Sequence, residues 1–189
     1  MDVIVTRSAN NFGESQHEEK LLPKLTKCAF LRCEMPIYGT GAETRDWIAV
    51  EDNCRAIRLA EQYGRSGQIY NISDDHPLSN LESARRIARI VGKQTGEQGL
   101  ARLIKFVPDR LGHDFRYALD TSKIQNLGYK PTTEAQFEKR FKQAILGLLE
   151  RFRTEESLPK VKMPSKEDIF DLLVEERYER IRKEIEENK

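Results

Sequence analysis

Short apolar runs alternate with amphipathic stretches along this chain. Val3-Ile4-Val5 is a brief β-branched run that gives way to Asn10-Asn11 and Gly13, and it predicts a buried strand feeding a loop. Leu22, Leu25, Cys28 and Ala29 are spaced for one face of a helix between about Glu19 and Cys33. Pro36-Ile37-Tyr38-Gly39 predicts a short extended piece, and Gly39 and Gly41 a turn. Trp47-Ile48-Ala49-Val50 predicts a second extended run. The helix after it opens on Glu51 and Asp52, acids at the positive end of the dipole, and stops at Gly64.

Gln68–Ile72 predicts a strand. Asn80 is the expected N-cap of a helix over 81–91, with Gly92 just past its end. Lys105-Phe106-Val107 is extended, and Asn126–Pro131 forms a turn. Phe137, Phe141, Ala144, Leu148 and Phe152 line one face of a long helix. The composition shifts at Ser157-Leu158-Pro159, which predicts a linker and then a charged amphipathic helix from about Lys166, with Ser165 and Asp168 as a loose capping box. The expected division is a main domain over 1–156 and an extension over 157–189.

The 189 residues, 38% apolar and 33% charged, suit one domain of ordinary size. A net charge of +1 gives no general attraction for nucleic acid or acidic membranes. Three cysteines, with no C-x-x-C pair and no metal-ligand pattern, fit free thiols in a reducing interior. No basic-then-apolar leader follows Met1 and no apolar stretch is long enough to cross a bilayer. The expectation is a cytoplasmic protein.

Arg45 at a strand start, Arg110 in a Gly-containing loop with His113, and Lys20 near a helix start are candidates for holding a charged ligand. A guanidinium fork can give two parallel hydrogen bonds to a diphosphate, and a lysine adds a point charge. Tyr38 beside Gly39 offers an aromatic face for a base. His17 and His76 read as structural.

Together with these candidates, Asn10-Asn11-Phe12-Gly13, Glu19-Lys20-Leu21-Leu22-Pro23, Pro36-Ile37-Tyr38-Gly39-Thr40-Gly41, Arg45-Asp46-Trp47, Val50-Glu51-Asp52, Tyr70-Asn71-Ile72, Asn80-Leu81 and Asp109-Arg110-Leu111-Gly112-His113-Asp114 form an ordered set. Over about residues 2 to 150 this set resembles the C-terminal half of the dTDP-glucose 4,6-dehydratase family of extended short-chain dehydrogenases/reductases. The resemblance implies an α/β fold: the outer strands only of a partial Rossmann-like sheet, a small mixed α/β substrate-binding domain, and a C-terminal helical extension. It implies that Asn10, Lys20 and Leu21 meet the sugar nucleotide and Asn11 meets NAD. Pro36, Ile37 and Tyr38 would frame thymine, and Arg45, Asn80 and Arg110 would hold the diphosphate. Asp109, Leu111, Gly112 and His113 would complete the nucleoside pocket.

The family's Tyr-x-x-x-Lys pair has no counterpart, since no tyrosine here has a lysine four residues on. Gly92, Gly96 and Gly99 follow a predicted helix, whereas a dinucleotide fingerprint follows a strand. No catalytic residue and no metal ligand is therefore assigned. The expected ligand is a dTDP-sugar nucleotide, with NAD implied by the resemblance and most of its site on other polypeptide. Activity would need the missing N-terminal half, in trans or upstream, and open sheet edges would favour homo-oligomers or poor solubility unless the charged C-terminal helix folds over the gap. The alternatives are a non-catalytic nucleotide-sugar binder and a truncated nucleotide-sugar epimerase or decarboxylase.

Overall fold

One interrupted strand ties the molecule together. In the computed structural model, which describes residues 2–109, 112, 114–116 and 118–157 (the last three by backbone alone), β1 (Val5–Ser8) and β2 (Asn10–Phe12) form a nearly continuous line broken at Ala9. The first part pairs parallel with β5 (Ile69–Ile72), from Val5 opposite Ile69 to Ser8 opposite Ile72. Ala9 N–H donates to Ile72 O at 2.8 Å, and the line then changes partner. Asn10, Asn11 and Phe12 pair parallel with Trp47, Ile48 and Ala49 of β4 (Thr44–Ala49). The sequence predicted a loop at Asn10-Asn11; the strand continues because β4, remote in sequence, supplies the main-chain partners.

β4 is also paired antiparallel with β6 (Pro77–Ser79), giving the order β2-β4-β6. A separate parallel pair joins β3 (Met35–Tyr38) to β7 (Ile104–Val107). These are the partial parallel sheets and small mixed sheet expected of the α/β fold. Helices α1 (Leu21–Leu31), α2 (Val50–Tyr63), α3 (Asn80–Thr95), α4 (Ser122–Asn126) and α5 (Glu134–Ser157) complete it.

Several boundaries differ from the sequence reading, each for a physical reason. β4 starts at Thr44, and Val50 opens α2 instead of closing the strand. The cap of α3 is Ser79, not Asn80: Ser79 Oγ accepts from Glu82 N–H, and the Glu82 carboxylate accepts from Ser79 N–H, both at 3.1 Å. Gly92 lies inside α3, where a Cβ would come 2.6 Å from Glu97 O; the left-handed stop is Gly96. The expected linker and helix beyond Ser157 lie outside the described residues.

Two apolar clusters fill the interior. In the larger, Phe12 meets Trp47, Phe137 and Phe141 edge-on at centroid distances of 6.5, 5.7 and 5.7 Å, so β2, β4 and α5 share one aromatic nest. The smaller gathers Ile48, Ala56, Ala60, Tyr70, Ile72, Ile124 and Tyr129 between α2, β5 and α4. No helix among the described residues is long and apolar enough to cross a membrane.

Candidate nucleotide-sugar site

The turn after β3 is the hinge of the site. Gly39 (φ 54°) and Gly41 (φ 73°) hold left-handed conformations that other residues adopt at a cost. Gly39 N–H donates to Val107 O at 3.0 Å, so the turn is sewn to the end of β7. A Cβ on Gly39 would lie 3.1 Å from Asp109 Oδ2 and 3.4 Å from Glu43 Oε1. The absent side chain lets two carboxylates approach the backbone.

The start of α3 is fastened to the same turn. Leu81 N–H donates to Gly41 O and Asn80 N–H to Glu43 O, both at 3.0 Å, and Asn80 Nδ2 lies 3.5 Å from Glu43 Oε2. Buried Glu43 is thus the joint between β3 and α3. The sequence reading passed over it, although it stands between the Gly41 turn and Arg45.

Arg45 follows on β4, opposite Leu78 and one step from the Ser79–Asn80 junction. It is only 7% exposed. Its Nη1 donates to Thr44 O at 2.8 Å and Phe115 O at 3.3 Å, and its Nη2 to Asp114 O at 2.6 Å. Thr44 N–H donates to Phe115 O at 2.9 Å, and Thr44 bridges Arg116. The guanidinium therefore draws the 114–116 backbone against the strand. Beside it, the Asp46 carboxyl is buried with Oδ1 unpartnered. Burial first and the Asp75 charge second push it above the usual aspartate range, against the pull of Arg116 and His76.

Ile37, Tyr38, Asn80 and Asp109 thus surround the Gly39–Gly41 turn, with Pro36 preceding it on β3 and Arg45 following it on β4. Ile37 is buried, Pro36 half-buried and Tyr38 43% exposed. Asn10 joins through the β2–β4 ladder, opposite Trp47 and two positions from the level of Arg45. Gly112 takes φ 70° in the loop that Arg45 gathers. Arg110, Leu111 and His113 lie outside the described residues.

Lys20 and Leu21 stand at the start of α1, after the 13–20 loop that α5 holds by Arg151 Nη1 donating to Glu14 O and Gln16 O at 3.3 and 3.1 Å. No hydrogen bond among the described residues ties the exposed Lys20 ammonium to the Arg45 cluster. Asn11 Nδ2 donates to Ala9 O at 3.1 Å, while its buried Oδ1 has no partner.

Two further buried polar features involve His76 and Asp74. His76, given a structural reading from sequence, is buried against the Phe137 ring at 4.4 Å; its Nε2 lies 2.9 Å from Thr132 O, and Nδ1 lies 3.2 Å from Glu134 Oε2. Asp74 accepts from Tyr129 Oη and, at 2.7 Å, from Thr132 Oγ1. A groove of 710 Å³ lined by Arg55, Arg58, Lys130 and Arg140 adjoins α2, and two of its arginines are ion-paired with fully buried Asp52.

Residues 1–142 match the family model described as GDP-mannose 4,6 dehydratase. The low-salt glycan biosynthesis protein Agl12 of Haloferax volcanii is 44% identical over 69% of this chain and 40% of its own length. The dTDP-glucose 4,6-dehydratase of Streptomyces niveus is 43% identical over 69% of this chain and 38% of its own. Among solved structures, the dTDP-glucose 4,6-dehydratase of Bacillus anthracis in complex with NAD superposes with a TM-score of 0.70 at 33% identity, covering 80% of this chain and 46% of that one. UDP-glucuronic acid 4-epimerase of Bacillus cereus, at 20% identity, shares the fold with a TM-score of 0.66 over 82% of this chain and 46% of its own. The chain spans less than half the length of these relatives. With the family model covering most of its length, the chain belongs to the nucleotide-sugar 4,6-dehydratase family of extended short-chain dehydrogenases/reductases.

Proposed function

We propose that this chain forms the nucleotide-sugar-binding part of an NAD-dependent dTDP-glucose 4,6-dehydratase, which converts dTDP-glucose to dTDP-4-keto-6-deoxyglucose. The observation that carries this reading is the joint at Glu43, which places the β3 residues Pro36–Tyr38, the start of α3 at Asn80, and Asp109 around one turn. Pro36, Ile37 and Tyr38 frame the base, and Asp109 and Gly112 border the nucleoside with Leu111 and His113. Asn80 and Arg110 meet the diphosphate, and Arg45 supports it both by charge and by fixing the 114–116 backbone. Asn10, Lys20 and Leu21 face the sugar.

NAD, when bound, supplies the hydride acceptor and returns the hydride. The one cofactor residue assigned here is Asn11, and its buried, unpartnered Oδ1 fits an acceptor for an amide N–H of that group. The acid–base pair and the phosphate-binding turn would come from polypeptide outside these 189 residues, upstream or in trans, because the sequence holds neither Tyr-x-x-x-Lys nor a glycine turn between a strand and a helix.

Calorimetric titration of the full chain with dTDP, UDP and GDP tests the binding reading. dTDP should bind at least tenfold more tightly than the others, about 1.4 kcal/mol. Equal affinity for all three, or no binding of dTDP, would overturn it. Incubation of these 189 residues with dTDP-glucose and NAD should give no 4-keto-6-deoxy product, and its appearance would refute the dependence on further polypeptide.

A further inference from the structure

α1 ends in a Schellman turn. Arg32 takes a left-handed conformation (φ 56°); its N–H donates to Ala29 O at 3.4 Å, and Cys33 N–H donates to Cys28 O at 3.0 Å. This pair of bonds folds the chain back over the last helical turn, so that the side chains at the two outer positions meet. Those positions here hold Cys28 and Cys33, both free thiols, and the Cys28 thiol is perturbed by its neighbour Cys33. Apolar contact is the usual occupant of that spot. Two cysteines there put two oxidisable groups face to face on a backbone already bent to bring them together.

We propose that Cys28 and Cys33 form a reversible dithiol–disulfide pair, a modification site closed by exchange with a small disulfide such as oxidised glutathione. Access sets the order of events, because Cys33 is exposed and Cys28 half-buried. The Cys33 thiolate attacks one sulfur of the small disulfide, breaking its S–S bond and releasing one thiolate, which takes up a proton. Cys28 then gives its proton to solvent, and its sulfur attacks Cys33 in the mixed disulfide. The Cys28–Cys33 bond forms and the second small thiolate departs. Two protein thiols have lost two electrons, and the small disulfide has become two thiols.

In the dithiol form burial first, and then the neighbouring Cys33, pushes the Cys28 thiol up to about 11, so closure, which needs the Cys28 thiolate, quickens as pH rises. β3 begins at Met35, two residues after Cys33, so closure fastens the end of α1 to the entry of the strand that carries Pro36–Tyr38. Cys54, exposed on α2, serves as an internal reference.

The test is mass spectrometry of the full chain equilibrated in glutathione buffers of graded ratio, alkylated, and digested with trypsin. Cleavage after Lys27 and Arg32 separates residues 28–32 from 33–45. The expected product is these two peptides joined, about 2 Da below their summed mass as two hydrogens are lost, with Cys54 still open to alkylation. Dithiothreitol should reverse it, and Cys28→Ser should leave glutathione on Cys33. A wild-type chain that keeps glutathione on Cys33 while Cys28 is alkylated would overturn the proposal. So would pairing of Cys33 with Cys54 or between chains, or no oxidation at any ratio.

Discussion

Arg45 and Asp114 are joined by a 2.6 Å hydrogen bond from guanidinium Nη2 to main-chain oxygen, across sixty-nine positions of sequence. With the bonds to Thr44 O and Phe115 O, this arginine shapes the site's rim as well as charging it. Lysine cannot reproduce a planar fork that serves three carbonyls. Arg45→Lys should cost about 1.5–3 kcal/mol in chemical denaturation, and both it and Arg45→Ala should weaken dTDP binding at least tenfold by calorimetry. Lost binding with unchanged stability would show that the rim does not depend on this residue.

Gly39 and Gly67 separate backbone cost from crowding. Both have left-handed φ, 54° and 78°, but a Cβ at Gly67 meets nothing within 4 Å, whereas one at Gly39 meets Asp109 at 3.1 Å. Gly67→Ala should cost about 1–2 kcal/mol from conformation alone. Gly39→Ala should cost more and should also reduce dTDP affinity, because Asp109 must move. Thermal melts of the two variants, with and without dTDP, make the comparison.

Asp46 should make stability depend on pH. Its folded pKa is raised, so the folded chain holds this proton more tightly than the unfolded chain. That stability is complete below the ordinary aspartate value of about 3.9, and it is lost as pH rises through the folded value. Asp46→Asn removes this loss, so its advantage over wild type should be smallest in acid and grow towards neutrality. Denaturant midpoints measured across that range would show the two curves diverging.

Tyr129→Phe should cost about 1–3 kcal/mol, the penalty for leaving a buried acceptor without its donor. Asp74 is 2% exposed and has Thr132 as its other hydroxyl partner. The tyrosine hydroxyl itself is held above its usual range, by burial first and by the Asp74 bond second, and stays protonated throughout the neutral range. Urea unfolding of this variant and of Thr132→Val should reveal losses smaller in combination than their sum, since both act on one carboxylate.

Val5 and Ile69 of the β1–β5 pair, and Val3 just before it, face solvent at 45%, 40% and 41% exposure. Unpaired strand edges beside apolar surface promote association. The chain should sediment as concentration-dependent oligomers, and Val5→Lys should shift them towards monomer. Identical behaviour of the two proteins would locate the contact elsewhere.

The elements that could be read from the sequence were those whose cause is local. The α5 stripe from Phe137 to Phe152, the acids opening α2, and the extended piece at Pro36–Tyr38 each carry their own signal. Asn10-Asn11 does not, since its strand character comes from β4, more than thirty residues away. Nor does α4, whose five residues are too few for a periodic pattern. Of the residues around the Gly39–Gly41 turn, Tyr38, Asn80 and Asp109 could be singled out by resemblance. Glu43 could not, because its importance rests on three main-chain and side-chain contacts that exist only once the turn has closed.

The change of partner at Ala9 has a consequence for how this stretch can vary. A substitution along Val5–Phe12 alters the contacts of one side chain and leaves the pairing register unchanged. An inserted residue just before Asn10 would leave the pairing with β5 untouched while reversing the sidedness of everything after it. Phe12 would be turned out of its aromatic nest, and Asn11 would exchange places with it. The segment should therefore accept replacement at its exposed positions more readily than any change of length.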